Sequence, residues 1–391
     1  MKRILIIEDD QLIANIYRNK FAVDNYQVET ALDGEKGFEL VNSFKPDLVV
    51  LDLMLPNVTG VEVLKKIRAQ AGFEQLPIIV FSNTFLSNMV QEAWKAGATK
   101  CLSKANCTPK QIIDVVRGLL QTAPGSAAAA QPKATATASA AESEDAFQAE
   151  QVKSFLASLP VTLGSLRTVM QALAKSTDEA SRVRNLQDLY RRVHALTANA
   201  GIAGMTQIAQ MADAVEALLK ELHEKPKNIN SSTIRTVALS VDFLGVLFDK
   251  AKSPETRNAP AQIKANILVV DDEAISRRAV THALEKAKLP CTSVEFPEVA
   301  LSVLSERTFD LVFLDVDMPG MNGFELCTKL RTTHRNKSTP VVFVTSLNDF
   351  ESRANSTMSG GNDLIAKPFV FMELAVKALV YILRARLAPA K

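Results

Sequence analysis

The stretch Asp47–Gly60, DLVVLDLMLPNVTG, decides the fold. Its apolar run Leu48 to Leu51 is short and unbroken and ends at a carboxylate, Asp52. Such a run, bounded by polar groups, reads as a strand buried on both faces rather than as one stripe of a helix. Pro56 and Gly60 punctuate the following loop, and Val61 to Arg68 resumes with helical spacing. The same pattern returns at Asp310–Gly323 as DLVFLDVDMPGMNG. Asp9 and Asp272, Asp52 and Asp315, Pro56 and Pro319, Gly60 and Gly323, Ser82 and Thr345, Gly97 and Gly360, and Lys104 and Lys367 all stand 263 positions apart. A repeat of that length is a whole domain, far longer than one solenoid unit.

Around these stretches, Ile4 to Ile7 and Ile78 to Phe81 are further short apolar runs, matched by Ile267 to Val270, Leu311 to Leu314 and Val341 to Val344. Buried strands alternating with helices predict an α/β, doubly wound, parallel five-stranded sheet, present twice. Ligands of such sheets sit beyond the carboxyl ends of the strands, where Asp9, Asp52 and Ser82 all fall.

Composition narrows the function classes. The chain has 391 residues, 47% hydrophobic and 23% charged, with a formal net charge of +2. Its basic residues are scattered, so no electrostatic case favours nucleic acid or an anionic membrane as partner. Cys101, Cys107, Cys291 and Cys327 show no metal-ligand spacing and are too few for a disulfide scaffold, which suits a reducing compartment. The apolar run Ile4 to Ile7 ends at Glu8, too short for a signal peptide, and no uninterrupted apolar stretch approaches the roughly 20 residues of a membrane helix. The expected location is the cytoplasm.

Two composition breaks divide the chain. Thr122 to Glu142 holds ten alanines among 21 residues, with Pro124, Gly125 and Pro132 and no large apolar side chain. Residues 122–146 are expected to form a disordered linker, of which the 21 residues Thr122 to Glu142 would span roughly 25 Å on average. A short polar linker is expected at 252–264, so the predicted domains are 1–121, 147–251 and 265–388. The middle segment has helical periodicity, as in Leu186, Leu189, Val193 and Leu196, and reads as an all-α four-helix bundle between the two repeats. Pro160 is expected to interrupt its first helix.

The strand-end acids carry the chemistry. Glu8, Asp9 and Asp52 would repel one another if bare, so a hard divalent cation such as magnesium is the expected counter-ion. Lys104 supplies a second positive charge and the Ser82 hydroxyl a donor, a set suited to phosphoryl transfer with Asp52 as nucleophile.

Both repeats resemble response-regulator receiver domains, the phosphoacceptor modules of two-component signalling. ILIIEDD (Ile4–Asp10) and ILVVDDE (Ile267–Glu273) resemble the first strand with its acidic pair, and the two Asp-led stretches resemble the phosphoacceptor strand and loop. The resemblance implies a flavodoxin-like fold and phosphorylation of Asp52 and Asp315. It implies one Mg2+ per domain, held by Glu8, Asp9, Asp52 and the Met54 carbonyl, and by Asp271, Asp272, Asp315 and the Asp317 carbonyl. Ser82, Thr345, Lys104 and Lys367 are the implied phosphoryl contacts. Lys367 precedes Pro368 as the family expects, whereas Lys104 precedes Ala105, so its lysine is expected to be aimed differently. The aromatic position three before each lysine is Cys101 or Leu364, which excludes a ring-rotation readout.

In the middle segment, RRVHALTANAGIAGM (Arg191–Met205) resembles a histidine phosphotransfer domain. His194, Leu196, Ala200 and Gly204 agree with that signature. Thr197 replaces its lysine and Ala198 its first glycine, and Arg191 is the expected substitute cation. Small residues at 198 and 201 predict an uncovered, exposed imidazole. The reading is a phosphorelay protein passing phosphoryl groups among Asp52, His194 and Asp315. No kinase motif is seen, no output domain is expected after Arg386, and the protein is expected not to be an enzyme itself. Its expected partners are a sensor histidine kinase and other relay proteins. The alternative is a docking scaffold in which an inactive bundle only spaces or dimerises the receivers. A haloacid-dehalogenase-like hydrolase, suggested by Asp315 and Asp317, fails because Pro319 stands where that family has threonine.

Overall fold

A computed structural model of the chain describes residues 1–82, 88–104, 107, 109–121, 137–253, 265–346 and 357–387. Each repeat forms a five-stranded, wholly parallel sheet. The first orders β1 (Arg3–Ile7), β2 (Gln27–Ala31), β3 (Leu48–Leu51), β4 (Ile78–Ser82) and β5 (Lys100–Ser103) as β2-β1-β3-β4-β5. In the second, β6 (Ile267–Val270), β7 (Cys291–Val294), β8 (Leu311–Asp315), β9 (Val341–Thr345) and β10 (Asp363–Ala366) run β7-β6-β8-β9-β10.

Successive side chains of a strand point to opposite faces, and helices bury both. Leu5, Ile7, Val49 and Leu51 pack with Val63, Leu64 and Ile67 of α3 (Gly60–Arg68). Ile4, Ile6 and Val50 pack instead with Ile13 and Phe21 of α1 (Gln11–Val23) and Ile112 and Val116 of α5 (Pro109–Gln121). Each such fully buried side chain stabilises the fold by about 1.5 to 3 kcal/mol. The second repeat builds the same two layers with α10 (Ala274–Lys286), α11 (Pro297–Glu306), α12 (Gly323–Thr332) and α13 (Phe371–Leu387). Between α3 and α5 lies the short α4 (Asn88–Lys95), and α2 (Gly34–Phe44) follows β2.

Helix starts beside the site are locally encoded. Thr59 and Glu62 form a capping box on α3, and Asn322 caps α12 by accepting from Glu325 N at 2.9 Å. An arginine clamp is also repeated. Arg68 Nε and Nη2 donate to Gly97 O at 2.9 and 2.8 Å, and Arg331 Nε and Nη2 donate to Gly360 O at 2.9 and 2.6 Å. Both glycines have positive φ, 94° and 84°, which turns their carbonyls into the clamp. Arg331 Nη1 also reaches Thr339 O at 2.8 Å. Arg331→Met, which leaves these carbonyls without a charged donor, is expected to cost about 2 to 3 kcal/mol in urea unfolding.

The middle segment is helical: α6 (Thr137–Lys175), α7 (Glu179–Ile202), α8 (Thr206–Glu224) and α9 (Ser231–Ala251). Two expectations are corrected here. Residues 137–146, read as disordered linker, are the first turns of α6. Their alanines favour helix, and the prolines that argue against it, Pro124 and Pro132, lie upstream. Pro160 does not interrupt α6, which runs through it. On either side of it, Ser158 Oγ donates to Phe155 O at 2.8 Å and Thr162 Oγ1 to Ser158 O at 3.0 Å. Residues 122–136 and 254–264 of the expected linkers lie outside the described residues.

Packing divides the chain into two units. One comprises Met1–Leu166, Tyr190–Glu216 and Leu247–Ala259, the other Arg167–Leu189, Ala217–Val246 and Pro260–Lys391. In the second unit, Ser232 Oγ and Thr236 Oγ1 of α9 donate to Glu373 Oε1 of α13 at 2.6 and 2.9 Å. That carboxylate is thereby satisfied although only 1% exposed. Helix α9 is long and apolar enough to cross a membrane, but 61% of its apolar window is buried within the protein, as in a core helix.

Candidate functional site

The carboxyl ends of the first sheet collect the predicted residues. Glu8 follows β1, Asp52 follows β3, Ser82 ends β4 and Lys104 follows β5. Lys104 Nζ lies 2.6 Å from Asp52 Oδ2 and 2.5 Å from Glu8 Oε2, with its side chain 2% exposed. The lysine therefore reaches Asp52 without the proline that follows its counterpart; Ala105 itself lies outside the described residues. Asp52 Oδ1 also accepts from Met54 N at 3.1 Å. Burial works against the Asp52 carboxylate, yet Lys104 and His194 hold its pKa below the usual range. Glu8 behaves oppositely: burial pushes it up to about 8 despite Lys104.

The second sheet repeats the arrangement in a more open form. Lys367 Nζ lies 3.1 Å from Asp271 Oδ2 and 3.2 Å from Asp315 Oδ1, with its side chain 19% exposed. Its bond to Pro368 is cis. Asp271 Oδ2 accepts from Ser276 Oγ at 2.5 Å, and Asp317 Oδ2 from Ser346 Oγ at 3.1 Å. Burial and the Asp271 carboxylate raise the Asp315 pKa, and Lys367 only partly offsets them. Thr345 is buried at the end of β9, as Ser82 is at the end of β4.

The residues present fit a divalent cation at both places. Asp271, Asp272 and Asp315 each offer an oxygen within 4.8 Å of the others, an all-oxygen set of the kind hard cations take. Asp9 and Asp52 make a similar group, which here includes a nitrogen of His194. Beside it, Glu8 Oε1 is buried and accepts no hydrogen bond.

His194 corrects the largest expectation about the middle segment. Its imidazole is not exposed but 9% accessible, because within the first unit α7 lies over the strand ends of the sheet. His194 Nε2 stands 3.9 Å from Asp52 Oδ2, while Nδ1 pairs with Glu216 Oε1 at 2.9 Å. The Tyr190 ring stacks on the imidazole at 6.0 Å between centroids. Burial opposes the imidazolium, but Glu216 and then Asp52 outweigh it and push the pKa up to about 9. Ala198 and Ile202, further along α7, join the buried cluster of Ile13, Cys107 and Ile112. Thr197 spends its hydroxyl on Val193 O at 2.9 Å and Arg191 is exposed, while the Lys104 charge from the sheet acts on the imidazole.

Glu216 escaped the sequence reading. It lies within the apolar periodicity of α8, between Val215 and Leu218, and is 1% exposed. A glutamate in a run otherwise buried is the signal that could have exposed it, since an unpaired charge there would be costly.

Comparison with known families matches the response regulator receiver domain at residues 4–117 and 267–379, more than half of the chain. The chain belongs to that family, with two receiver domains. Among curated relatives, the transcriptional regulatory protein ResD of Bacillus subtilis is 36% identical over 119 residues, 30% of this chain and 48% of its own. The phosphate regulon regulator PhoB of Pseudomonas aeruginosa is 33% identical over 111 residues, 28% of this chain and 48% of its own. The chain thus spans about half the length of these relatives. Of solved structures, the chemotaxis protein CheY4 of Vibrio cholerae is 29% identical and covers 31% of this chain and 99% of its own, with a TM-score of 0.29.

Proposed function

We propose that the chain is a phosphorelay protein in which Asp52 and His194 exchange a phosphoryl group. The observation that carries this reading is the facing pair itself: Nε2 of His194 directed at the Asp52 carboxylate, with Nδ1 held by Glu216. In the forward step the bond from phosphorus to the Asp52 oxygen breaks as a bond from phosphorus to Nε2 forms. The carboxylate is regenerated and the Nδ1 proton stays shared with Glu216. Nε2 must be unprotonated to attack, so its proton is first given up to solvent. Lys104 offsets charge on the transferring group from the side of Asp52, in place of the lysine the bundle lacks. One Mg2+ per receiver would be held by Asp9 and Asp52 with Glu8 and the Met54 carbonyl, and by Asp271, Asp272 and Asp315 with the Asp317 carbonyl. It supplies further charge neutralisation for phosphoryl transfer. Asp315 is the second phosphoacceptor, Ser82 and Thr345 donate to phosphoryl oxygens, and a separate sensor histidine kinase supplies phosphate to a cytoplasmic protein.

Peptide-level phosphate mapping after treatment with acetyl phosphate and Mg2+ tests the reading. Acid-labile phosphate on His194 is expected, absent in His194→Gln. Aspartyl phosphate with a silent His194 would leave the bundle as a scaffold that covers Asp52. Glu216→Gln is expected to slow transfer to His194 about tenfold, as one charge-assisted hydrogen bond is lost from the transition state.

A further inference from the structure

The two acidic sites of the repeat differ in the chemistry of one donor. Asp271, Asp272 and Asp315 offer oxygen alone. In the first unit, Asp9 and Asp52 are joined by a ring nitrogen of His194, one donor atom of each lying within 4.8 Å of the others. Two donors at about 2.0 to 2.2 Å from one metal ion stand roughly 3 to 4.4 Å apart, depending on the angle between them. The 3.9 Å from His194 Nε2 to Asp52 Oδ2 falls inside that range, and the exposed Asp9 closes the remainder by turning its side chain.

The rest of the imidazole is arranged as a ligating histidine requires. Nδ1 is held by Glu216 Oε1 at 2.9 Å, with both residues buried. A carboxylate on the far ring nitrogen keeps the proton on Nδ1, turns the Nε2 lone pair towards a metal and makes it more basic. Beside this group Glu8 is 3% exposed and its Oε1 accepts no hydrogen bond, a buried acceptor that costs stability unless a donor or cation meets it.

We propose that the first site, unlike the second, is a mixed nitrogen and oxygen site for a transition-metal dication of the Zn2+ or Co2+ type, with Asp9, Asp52 and Nε2 of His194 as ligands and Glu216 as the carboxylate behind the histidine. Carboxylates alone suit Mg2+, which dehydrates reluctantly, whereas imidazole favours the borderline ions. Nε2 gives any proton it carries to solvent as its lone pair is taken. These ligands come from α7 and from the strand ends of the sheet, so together they fasten the histidine helix to its receiver. The site does not depend on the relay proposed above, but its consequence does. One lone pair cannot both hold a metal and attack phosphorus, so such an ion switches off exchange between Asp52 and His194, while Mg2+ on oxygens permits it.

Co2+ is the probe, because a histidine bound to it through Nε2 shows its Nδ1 proton as a paramagnetically shifted, solvent-exchangeable NMR line. The full chain carries Asp272→Asn and Asp315→Asn, which remove two of the three acids of the second site. One equivalent of Co2+ is expected to bind, with one such line. His194→Gln should abolish the line and weaken Co2+ at least about a hundredfold with Mg2+ affinity unchanged, and Glu216→Gln should weaken Co2+ about tenfold with the line retained. Co2+ binding at full strength in His194→Gln, or binding without the line, would overturn the site. Should His194→Gln lose Mg2+ as well, its receiver is damaged and Glu216→Gln decides, unchanged Co2+ affinity there overturning the site. In the chain without these substitutions, Zn2+ added to acetyl phosphate and Mg2+ should lower phosphohistidine on His194 at least about tenfold. Undiminished phosphohistidine would overturn the switch. No phosphohistidine under Mg2+ alone would remove the relay and leave the metal site to the Co2+ result.

Discussion

Asp52→Asn should leave His194 without phosphate after exposure to acetyl phosphate, a loss of more than about a hundredfold, while Asp315→Asn leaves phosphohistidine unchanged. Asparagine keeps the shape and most of the hydrogen bonding of Asp52 but has no oxygen anion to carry phosphorus. Holding donor and acceptor in contact makes the transfer effectively unimolecular, which is worth far more than chance encounter in solution. His194 Nε2 lies 3.9 Å from Asp52 Oδ2, so a phosphoryl group on Asp52 is already held beside the imidazole, whereas direct labelling of His194 by acetyl phosphate has no such pre-positioned donor. Unchanged phosphohistidine in Asp52→Asn would show that His194 takes phosphate elsewhere and that its contact with Asp52 is only packing. Loss in Asp315→Asn instead would place the second receiver upstream.

The repeat explains why the receivers could be read from the residues alone. Seven positions at one offset define strand ends, loop turns and two lysines, and among the strand-end groups Lys104 meets Asp52, Lys367 meets Asp315, and Asp9 and Asp272 lie beside those aspartates. The same offset also relates Arg68 to Arg331, whose clamps on Gly97 and Gly360 went unread because an arginine near a helix end looks like an ordinary surface charge. The middle segment was harder for a physical reason. Periodicity shows that α7 has a buried face, as Val193 and Leu196 at 0% and 3% exposure bear out, but it does not show what lies against the other face. His194 was therefore expected to be exposed, whereas a second domain covers it within the first unit. Glu216 follows from the same blindness, since its partner is on another helix.

Gly60→Ala and Gly323→Ala should each destabilise the receiver they belong to by about 3 kcal/mol and impair phosphorylation of that receiver alone. A Cβ built on Gly60 falls on the carbonyl oxygen of Asp52, and one on Gly323 falls on that of Asp315. The obstacle is backbone, which cannot turn aside as a flexible side chain would, so α3 or α12 must lift from its strand end. Neither glycine has a positive φ, so the cost is close approach rather than backbone conformation. That distinction fixes the control. Gly118 is exposed in α5 with nothing within 4 Å of a new Cβ. Gly118→Ala should therefore stabilise by about 0.5 to 1 kcal/mol through helix propensity. Urea unfolding separates the cases by sign. Because the clashing carbonyls belong to Asp52 and Asp315, the proposed phosphoacceptors, acetyl phosphate labelling should fall at Asp52 in Gly60→Ala and at Asp315 in Gly323→Ala, each with the other receiver intact. A neutral Gly60→Ala with full labelling of Asp52 would mean that α3 does not sit against the end of β3 as closely as its sequence and packing require.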